Sequence, residues 1–186
     1  MRTVLGIVGQ QAAGKGAIAS YLEKAYGAKK LRFSGPLTDI LRRLRIPFTR
    51  DNQIKLAETL RATFGPSVLT AALIADAADT DGLVTIDGLR KPGDLEELKT
   101  LPGFHLLAVA ADIHIRYGRS KIRGEKPEDA TITFEDFEAS HLRSTEITIP
   151  ELEAQAEFKI PNDGTIEELY ARLDGIMAGL GVEETR

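Results

Sequence analysis

The residues with the clearest chemistry form one glycine-rich run near the start of the chain. Gly9-Gln10-Gln11-Ala12-Ala13-Gly14-Lys15 has the G-x-x-x-x-G-K spacing of a phosphate-binding loop. In such a loop, backbone N–H groups surround a phosphate and the lysine reaches the outer phosphates as a point charge. Residues 3–8 predict a buried strand before the loop, and residues 18–25 predict a helix after it. The run predicts nucleotide binding, although a strand-to-helix turn without a ligand would use similar residues.

A hydroxyl group that usually accompanies this motif is missing. Most such loops carry Ser or Thr directly after the lysine as a magnesium ligand. Here Gly16 and Ala17 follow Lys15, and we expect Ser20, one helical turn further on, to be too far from the phosphates to replace it. We therefore expect ATP to bring Mg²⁺ that is held by phosphate oxygens and water.

Two charged residues follow the third predicted strand, Leu83–Ile86, in the segment Asp87-Gly88-Leu89-Arg90. Ligands of open parallel sheets bind beyond the carboxyl ends of the strands, so Asp87 and Arg90 are expected to face the phosphate loop. Asp87 could bind Mg²⁺ through water, and Arg90 could hold the phosphate that is transferred. The alternative is a turn aspartate beside a surface arginine.

Three arginines align on one face of a predicted helix that starts at Asp112. Arg116, Arg119 and Arg123 have the spacing i, i+3 and i+7. Their mutual repulsion is most easily tolerated where polyphosphate fills the space between them. The polar residues 124–130 suit a mobile cover, so the pattern predicts a lid at about residues 116–132.

A helical segment at about residues 35–80 separates the second and third predicted strands, and such an insertion could hold a second substrate. Arg42 could belong to a solvated face or bind a substrate phosphate. Gln53 and Arg61 are candidate ligands on the next helix. That helix is expected to turn Ile54, Ala57, Leu60 and Phe64 towards the core.

The turn Asn162-Asp163-Gly164-Thr165 precedes an amphipathic last helix. Backbone groups of Asn162 and Gly164 could approach a nucleotide base. The same residues also suit an ordinary turn followed by a threonine N-cap.

Composition limits the other possibilities. The 186 residues are 42% hydrophobic, which is enough for one domain over residues 1–186. A net charge of −4 without a basic block argues against a general nucleic-acid surface, and the absence of cysteine excludes disulfides and thiolate chemistry. No apolar stretch reaches the roughly 20 residues of a membrane span, so we expect a cytoplasmic protein. No apolar stripe distinguishes a monomer from a homodimer.

Together these motifs resemble the P-loop nucleoside and nucleotide monophosphate kinases, which include adenylate kinases, deoxynucleoside monophosphate kinases and dephospho-coenzyme A kinases. Asp87-Gly88-Leu89-Arg90 is similar to the D-G-x-P-R of adenylate kinases, without its proline. The run from Arg116 to Gly124 and the segment Asn162–Thr165 are similar to their lid and adenine-side loop. Phe33-Ser34-Gly35-Pro36-Leu37 is similar to a segment of some deoxynucleoside monophosphate kinases.

The resemblance implies an α/β three-layer P-loop fold, with a five-stranded parallel sheet of order 2-3-1-4-5, a monophosphate-binding helical insertion and an arginine lid. It implies ATP and Mg²⁺ as cofactors and a (deoxy)nucleoside monophosphate as the phosphorylated acceptor. The loop, Arg116, Asn162 and Gly164 would bind the donor. Catalysis would use Lys15, Asp87, Arg90, Arg119 and Arg123, and the acceptor would meet Ser34, Arg42, Gln53, Arg61 and Arg90.

Ala17 also motivates a second interpretation, a nucleotide-binding regulator or degenerate kinase with little turnover. A simple NTPase that drives a partner is a third possibility, but no water-positioning residue for it can be identified in the sequence.

Overall fold

A computed structural model describes residues 2–123, 132–142 and 146–185, except for the side chains of Arg50 and Arg123. The strands are β1 (Thr3–Val8), β2 (Lys29–Arg32), β3 (Leu83–Asp87), β4 (Phe104–Ala110) and β5 (Phe158–Pro161). They form one five-stranded sheet of order β2-β3-β1-β4-β5, and every neighbouring pair is parallel. The predicted sheet order is confirmed.

Helices connect these strands. They are α1 (Lys15–Tyr26), α2 (Gly35–Arg43), α3 (Arg50–Phe64), α4 (Val68–Ala78), α5 (Pro92–Leu98), α6 (Ile113–Arg123), α7 (Phe134–Ala139), α8 (Ile149–Ala154) and α9 (Ile166–Gly179). The helices α2 to α4 occupy the predicted insertion between β2 and β3. Helix α8 was not predicted. Residues 124–131 of the predicted lid lie outside the described residues.

Helices cover both faces of the sheet, as the alternation of side chains along β1 illustrates. Val4 and Val8 pack into a core shared with α2 to α5 and α8. Leu5 and Ile7 point to the opposite face, into a core shared with α1 and α9. The molecule therefore has the three layers expected of a parallel sheet whose strands are apolar on both faces.

Threonine N-caps begin two helices, and one predicted helix face is not buried as expected. Thr133 accepts a hydrogen bond from the Asp136 backbone at the start of α7, and Thr165 forms a capping box with Glu168 at α9. In α3 the expected inward face is wrong at both ends, because Ile54 and Phe64 are 44% and 69% exposed. Only the middle of that face is covered by the core.

The sheet brings the ends of three strands to one edge. Ile7 near the end of β1 pairs with Asp87, and Arg32 at the end of β2 pairs with Asp87 from the other side. The phosphate-loop motif, which begins at Gly9, therefore starts close to the end of β3. Among the described residues, no helix has both the length and the apolar character to cross a membrane.

Candidate functional site

Two positions of the loop, Gly9 and Gly14, need glycine because neighbouring atoms leave no room for a Cβ atom. A Cβ atom on Gly9 would lie 2.4 Å from the carbonyl oxygen of Val109 in β4. A Cβ atom on Gly14 would lie 2.3 Å from the side-chain nitrogen of Asn162, and Gly14 also has a φ of 121°. The loop therefore packs against the ends of β4 and β5 in a form that larger residues would disrupt.

Lys15 is the first residue of α1 and lies over the loop. Its Nζ donates hydrogen bonds to the carbonyl oxygens of Gly9 at 2.6 Å and Gln10 at 3.0 Å. The amino end of α1 adds partial positive charge at the same place. This arrangement suits an anion, and the ammonium group would exchange loop carbonyls for phosphate oxygens when one binds.

Asn162 holds the loop from the side of β5. Its Nδ2 donates to the carbonyl oxygen of Ala13 at 2.8 Å, and its backbone N–H donates to Ala110 at 2.7 Å. The residue is only 5% exposed. Gly164, two residues on, leaves room for the Glu168 side chain of the capping box. Both residues were predicted to bind the donor, and the contact of Asn162 with the loop is a supporting role that the sequence did not suggest.

Arg116 supports the loop from α6. It is 4% exposed, and its Nε donates to the carbonyl oxygen of Ala111 at 2.9 Å. Its Nη1 reaches the carbonyl oxygen of Gln11 at 3.4 Å and the ring of His141. The first of the three predicted arginines is therefore a buried contact of the loop backbone.

Glu153 on α8 is a site residue that the sequence analysis missed. The backbone of Gln10 and the charges of Arg116 and Lys15 are close enough to its carboxylate to lower the pKa of Glu153. Burial raises the pKa of Glu153, and these three contacts oppose the rise. Burial also lowers the pKa of Arg116, and the negative charge of Glu153 opposes this lowering. The carboxylate thus provides a negative charge inside a site that is otherwise rich in cations.

Arg119 lies one turn beyond Arg116 and faces a cavity beside the loop. The cavity has a volume of about 630 Å³ and is lined by Ala12, Gly16, Ala17, Ser20, Arg32, Arg119 and Ile122. The Nη1 of Arg119 is shielded from solvent and has no hydrogen-bond partner within the described residues. The side chain of Arg123, the third predicted arginine, lies outside the described part of the chain.

Asp87 and Arg90 lie at the carboxyl end of β3, as predicted. Asp87 Oδ1 accepts a hydrogen bond from the backbone of Gly88 at 2.8 Å. Arg90 forms an ion pair with Glu146, and its carbonyl oxygen accepts a hydrogen bond from the Thr148 hydroxyl. The end of β3 is therefore joined to the segment that leads into α8.

The predicted acceptor ligands of the insertion lie at both ends of α2 and along α3. Ser34 precedes α2 and makes no side-chain cap, while the side chain of Arg42 is 79% exposed and lies 3.8 Å from Asp39. Gln53, Ala57 and Arg61 have the spacing i, i+4 and i+8, so they lie on one face of α3. Ala57 is buried. The Nε of Arg61 is shielded and has no hydrogen-bond partner among the described residues. Gln53 and Arg61 share a sheltered face, which Arg42 does not.

Comparison with known proteins adds relatives at low identity. No protein-family model matches the chain. A UPF0200 protein of Sulfurisphaera tokodaii is 27% identical over 176 residues, which span 94% of this chain and 95% of the relative. A UPF0200 protein of Methanoculleus marisnigri is 27% identical over 183 residues, which span 97% of this chain and 98% of the relative. The similarity therefore covers nearly the whole length of both chains.

Solved structures give the fold. A shikimate kinase from Bacteroides thetaiotaomicron superposes with a TM-score of 0.61 at 13% identity and covers 95% of this chain and 98% of its own. The chain has the fold of a P-loop kinase. A gluconokinase from Sinorhizobium meliloti has a TM-score of 0.55 at 14% identity, covering 96% of this chain and 91% of its own. TT1252 from Thermus thermophilus reaches 0.57 at 21% identity, covering 96% of this chain and 98% of its own. At these identities the likeness concerns the fold.

Proposed function

We propose that this protein catalyses ATP-dependent phosphoryl transfer to a small phosphorylated acceptor, and that the acceptor is a (deoxy)nucleoside monophosphate. The observation that carries the proposal is the position of Lys15 over a glycine-dependent loop at the amino end of α1. Arg116 on α6 contacts that loop, and Arg90 follows β3, whose last residue pairs with Ile7 near the end of β1. Phosphoryl transfer depends mainly on such positioning and charge neutralisation.

In this proposal the loop and Lys15 bind the β- and γ-phosphates of the donor. The loop is held in place by Asn162 at Ala13, by Arg116 at Gln11 and by Glu153 at Gln10. Lys15 leaves the carbonyl oxygens of Gly9 and Gln10 as phosphate oxygens replace them. A braced loop needs little reorganisation during the reaction, which favours electrostatic stabilisation of the transferring group.

Arg90, Arg119 and Arg123 are proposed to neutralise charge on the transferring phosphate. Arg90 approaches from the end of β3, on the side of the helical insertion, where Ser34, Arg42, Gln53 and Arg61 are proposed acceptor ligands. Arg119 approaches from α6. We further propose that the lid at about residues 116–132 and the insertion at about residues 35–80 close over the two substrates and exclude water, which would suppress ATP hydrolysis.

The residues around the loop fit a magnesium ion only as a partner of bound ATP. Among the described residues, no group of three or more His, Asp and Glu side chains could hold a metal by itself. Asp87 Oδ1 accepts a hydrogen bond from Gly88, and no further hydrogen bond to this carboxylate is found within the same residues. Asp87 would therefore hold a water of a magnesium ion carried by the phosphates, and that ion would neutralise phosphate charge.

Replacement of Lys15 tests the proposal. The variant Lys15→Met should abolish acceptor-dependent release of ADP and leave the thermal unfolding transition in place, because Asn162 and Arg116 also hold the loop that Lys15 contacts. Lys24→Met, at an exposed position on the same helix, is the matched control and should keep the wild-type rate. Wild-type turnover by Lys15→Met would exclude the assignment.

A nucleotide-binding regulator or degenerate kinase is the second candidate, and Ala17 is the observation that favours it. Ala17 brings no hydroxyl to the cavity beside the loop, although Ser20 lines the same cavity. Saturable ATP binding without acceptor-dependent ADP release would support this candidate.

A further inference from the structure

His141 joins the end of α7 to a buried arginine beside the phosphate loop. It lies in the 3₁₀ turn Ser140–Leu142, which directly follows α7. Its Nε2 is within hydrogen-bond distance of Nη1 of Arg116 on α6. Its Nδ1 lies 3.1 Å from the carbonyl oxygen of Glu138. Both ring nitrogens of His141 therefore have a partner in the protein.

These two partners determine where the ring carries its proton. A guanidinium group has only donors and stays protonated, so Arg116 donates and Nε2 must accept. A backbone carbonyl group only accepts, so Nδ1 must carry the hydrogen and donate it to Glu138. His141 is therefore a neutral imidazole with its proton on Nδ1.

The same nitrogen of Arg116 also serves the phosphate loop. Nη1 carries two hydrogens, and its other acceptor is the carbonyl oxygen of Gln11 at 3.4 Å. The Nε of Arg116 donates to Ala111, and the whole residue is 4% exposed. Because so little water can reach it, loss of the acceptor on His141 would leave a buried charged donor unsatisfied. The guanidinium group would then turn towards another acceptor, and its contact with Gln11 would weaken.

Aromatic packing holds the imidazole and the guanidinium group in place. The buried Phe137 ring lies edge-on to the His141 ring, with 5.1 Å between their centroids, and the Arg116 guanidinium carbon lies 5.9 Å from the same Phe137 ring. Before α7, the Tyr117 hydroxyl on α6 donates a hydrogen bond to the carbonyl oxygen of Ile132 at 3.0 Å. Helix α7 is therefore tied to α6 at both of its ends.

We propose that His141 is a positioning residue of the nucleotide-donor site, whose Nε2 lone pair holds the guanidinium group of Arg116 on the Gln11 carbonyl. This inference rests on the proposed function and deepens it, because the loop that Arg116 supports is the one that would bind the donor phosphates. It makes the segment that follows α7 part of the donor site. Since coupling between two sites is reciprocal, a nucleotide on the loop also alters the hydrogen bond at Nε2.

The ¹⁵N NMR signals of the imidazole groups test this arrangement on the unaltered protein. The chain has three histidines, and the signals of His141 are those that disappear in His141→Gln. The expected spectrum shows the proton of His141 on Nδ1 and a hydrogen-bonded acceptor at Nε2, whose signal shifts when ADP and Mg²⁺ bind. A proton on Nε2, or no shift at saturating ADP, would overturn the inference.

Two replacements of His141 separate positioning from packing. His141→Leu keeps an apolar side chain beside Phe137 but removes the acceptor, and it should raise the dissociation constant of ADP about tenfold, the usual effect of one lost charge-assisted contact. His141→Gln retains an acceptor oxygen and should bind ADP nearly as tightly as the wild type. Equal affinities of wild type and His141→Leu, or equal weakening in both variants, would overturn the inference.

His114→Leu is the matched control. The ring of His114 stacks on Phe134 at 4.7 Å between the same two helices, without a hydrogen bond to Arg116 within the described residues. Its replacement should therefore leave the dissociation constant of ADP unchanged. Thermal unfolding reports whether each variant is folded, and if His141→Leu is not, the ¹⁵N measurement on the wild type still decides.

The results separate this inference from the proposed function. ADP binding that depends on His141, without phosphoryl transfer to any acceptor, would keep the positioning role and reject the kinase. Acceptor-dependent turnover with an unchanged KM for ATP in His141→Leu would keep the kinase and reject the positioning role.

Discussion

Ala17 is the residue that most sharply separates an active kinase from a degenerate one. It lies on the first turn of α1 and lines the cavity beside the loop together with Gly16 and Ser20. In the proposed function a hydroxyl at this point would face the phosphates, and the native residue has none. If the native magnesium shell is completed by water, an added hydroxyl has little to contribute.

The first prediction concerns Ala17→Thr. If the protein is an active kinase, this variant should turn over at a rate similar to the wild type or lower, because the hydroxyl is not needed and the side chain occupies the cavity. Ala17→Val has nearly the same shape without the hydroxyl and is the matched control. A gain of about tenfold or more in Ala17→Thr alone, roughly 1.4 kcal/mol of transition-state stabilisation, would favour the degenerate site.

The second prediction concerns the support of the loop by Asn162. Asn162→Ala should lower the free energy of unfolding by about 1–3 kcal/mol, because the buried carbonyl oxygen of Ala13 loses its donor. Asn52→Ala is the control, since Asn52 also donates to a backbone carbonyl, at Pro47, but at the surface where water can replace it. Urea unfolding of the two variants measures the difference. Equal losses would show that the contact of Asn162 with the loop has no special importance.

At the scale of elements, α8 connects the segment after the lid to the phosphate loop. Ile149 and Leu152 anchor the helix in the core, and Glu153 points to the backbone of Gln10. Arg116 approaches the neighbouring Gln11 from α6. Helices α6 and α8 therefore contact adjacent residues of the loop, so a movement of either helix would alter the loop backbone.

The third prediction follows from the pKa of Glu153. Burial raises this pKa in the folded protein above its ordinary value of 4.5, so the folded state binds a proton more tightly than the unfolded state. The stabilisation is fully present below the ordinary pKa and is lost as the pH rises through the folded-state pKa. Glu153→Gln should remove this dependence and leave the unfolding free energy flatter as the pH rises above the ordinary pKa of the carboxyl group.

The matched control for that experiment is Glu151→Gln, which changes an exposed carboxylate on the same helix. Chemical unfolding at a series of pH values measures both variants against the wild type. A pH dependence in Glu153→Gln that equals the wild type would mean that the raised pKa does not contribute to stability.

Much of the architecture could be predicted because its signals are local. The strand, loop and helix of residues 3–26 follow from apolar runs and glycine spacing, and the starts of α7 and α9 follow from Thr133 and Thr165. The site contacts of Asn162 and Glu153 could not be predicted, since each depends on a partner more than a hundred residues away. Helix α8 was missed because six residues hold too little periodicity, although Pro150 in its first turn was a usable signal.

The inward face of α3 shows a different limit. Ile54 and Phe64 have the correct spacing for a buried stripe, yet both are exposed, while Ala57 and the half-buried Gln53 and Arg61 lie nearer the core. Hydrophobic spacing predicts a buried face only where a neighbouring element covers it. In α3 the sheltered face instead carries polar groups, including the unpartnered Nε of Arg61, which is consistent with a ligand-binding insertion.

At the scale of the whole molecule, the sheet brings distant segments to one edge. The loop after β1 lies between the end of β3, with Asp87 and Arg90, and the ends of β4 and β5, with Asn162. Helices α6 and α8 bring Arg116, Arg119 and Glu153 to the same place. In the proposed function the polyphosphate of the donor would lie on the loop at this edge, with Asp87 and Arg90 on the side towards β2.

The most direct test is release of ADP from ATP and Mg²⁺ in a coupled assay with a panel of nucleoside monophosphates, deoxynucleoside monophosphates and dephospho-coenzyme A. A reaction without acceptor is run in parallel. The proposed function predicts ADP release that depends on one acceptor class and is near zero without it. Absence of release with every acceptor, in a preparation that binds ATP saturably, would contradict it, and sustained release without any acceptor would indicate an NTPase instead.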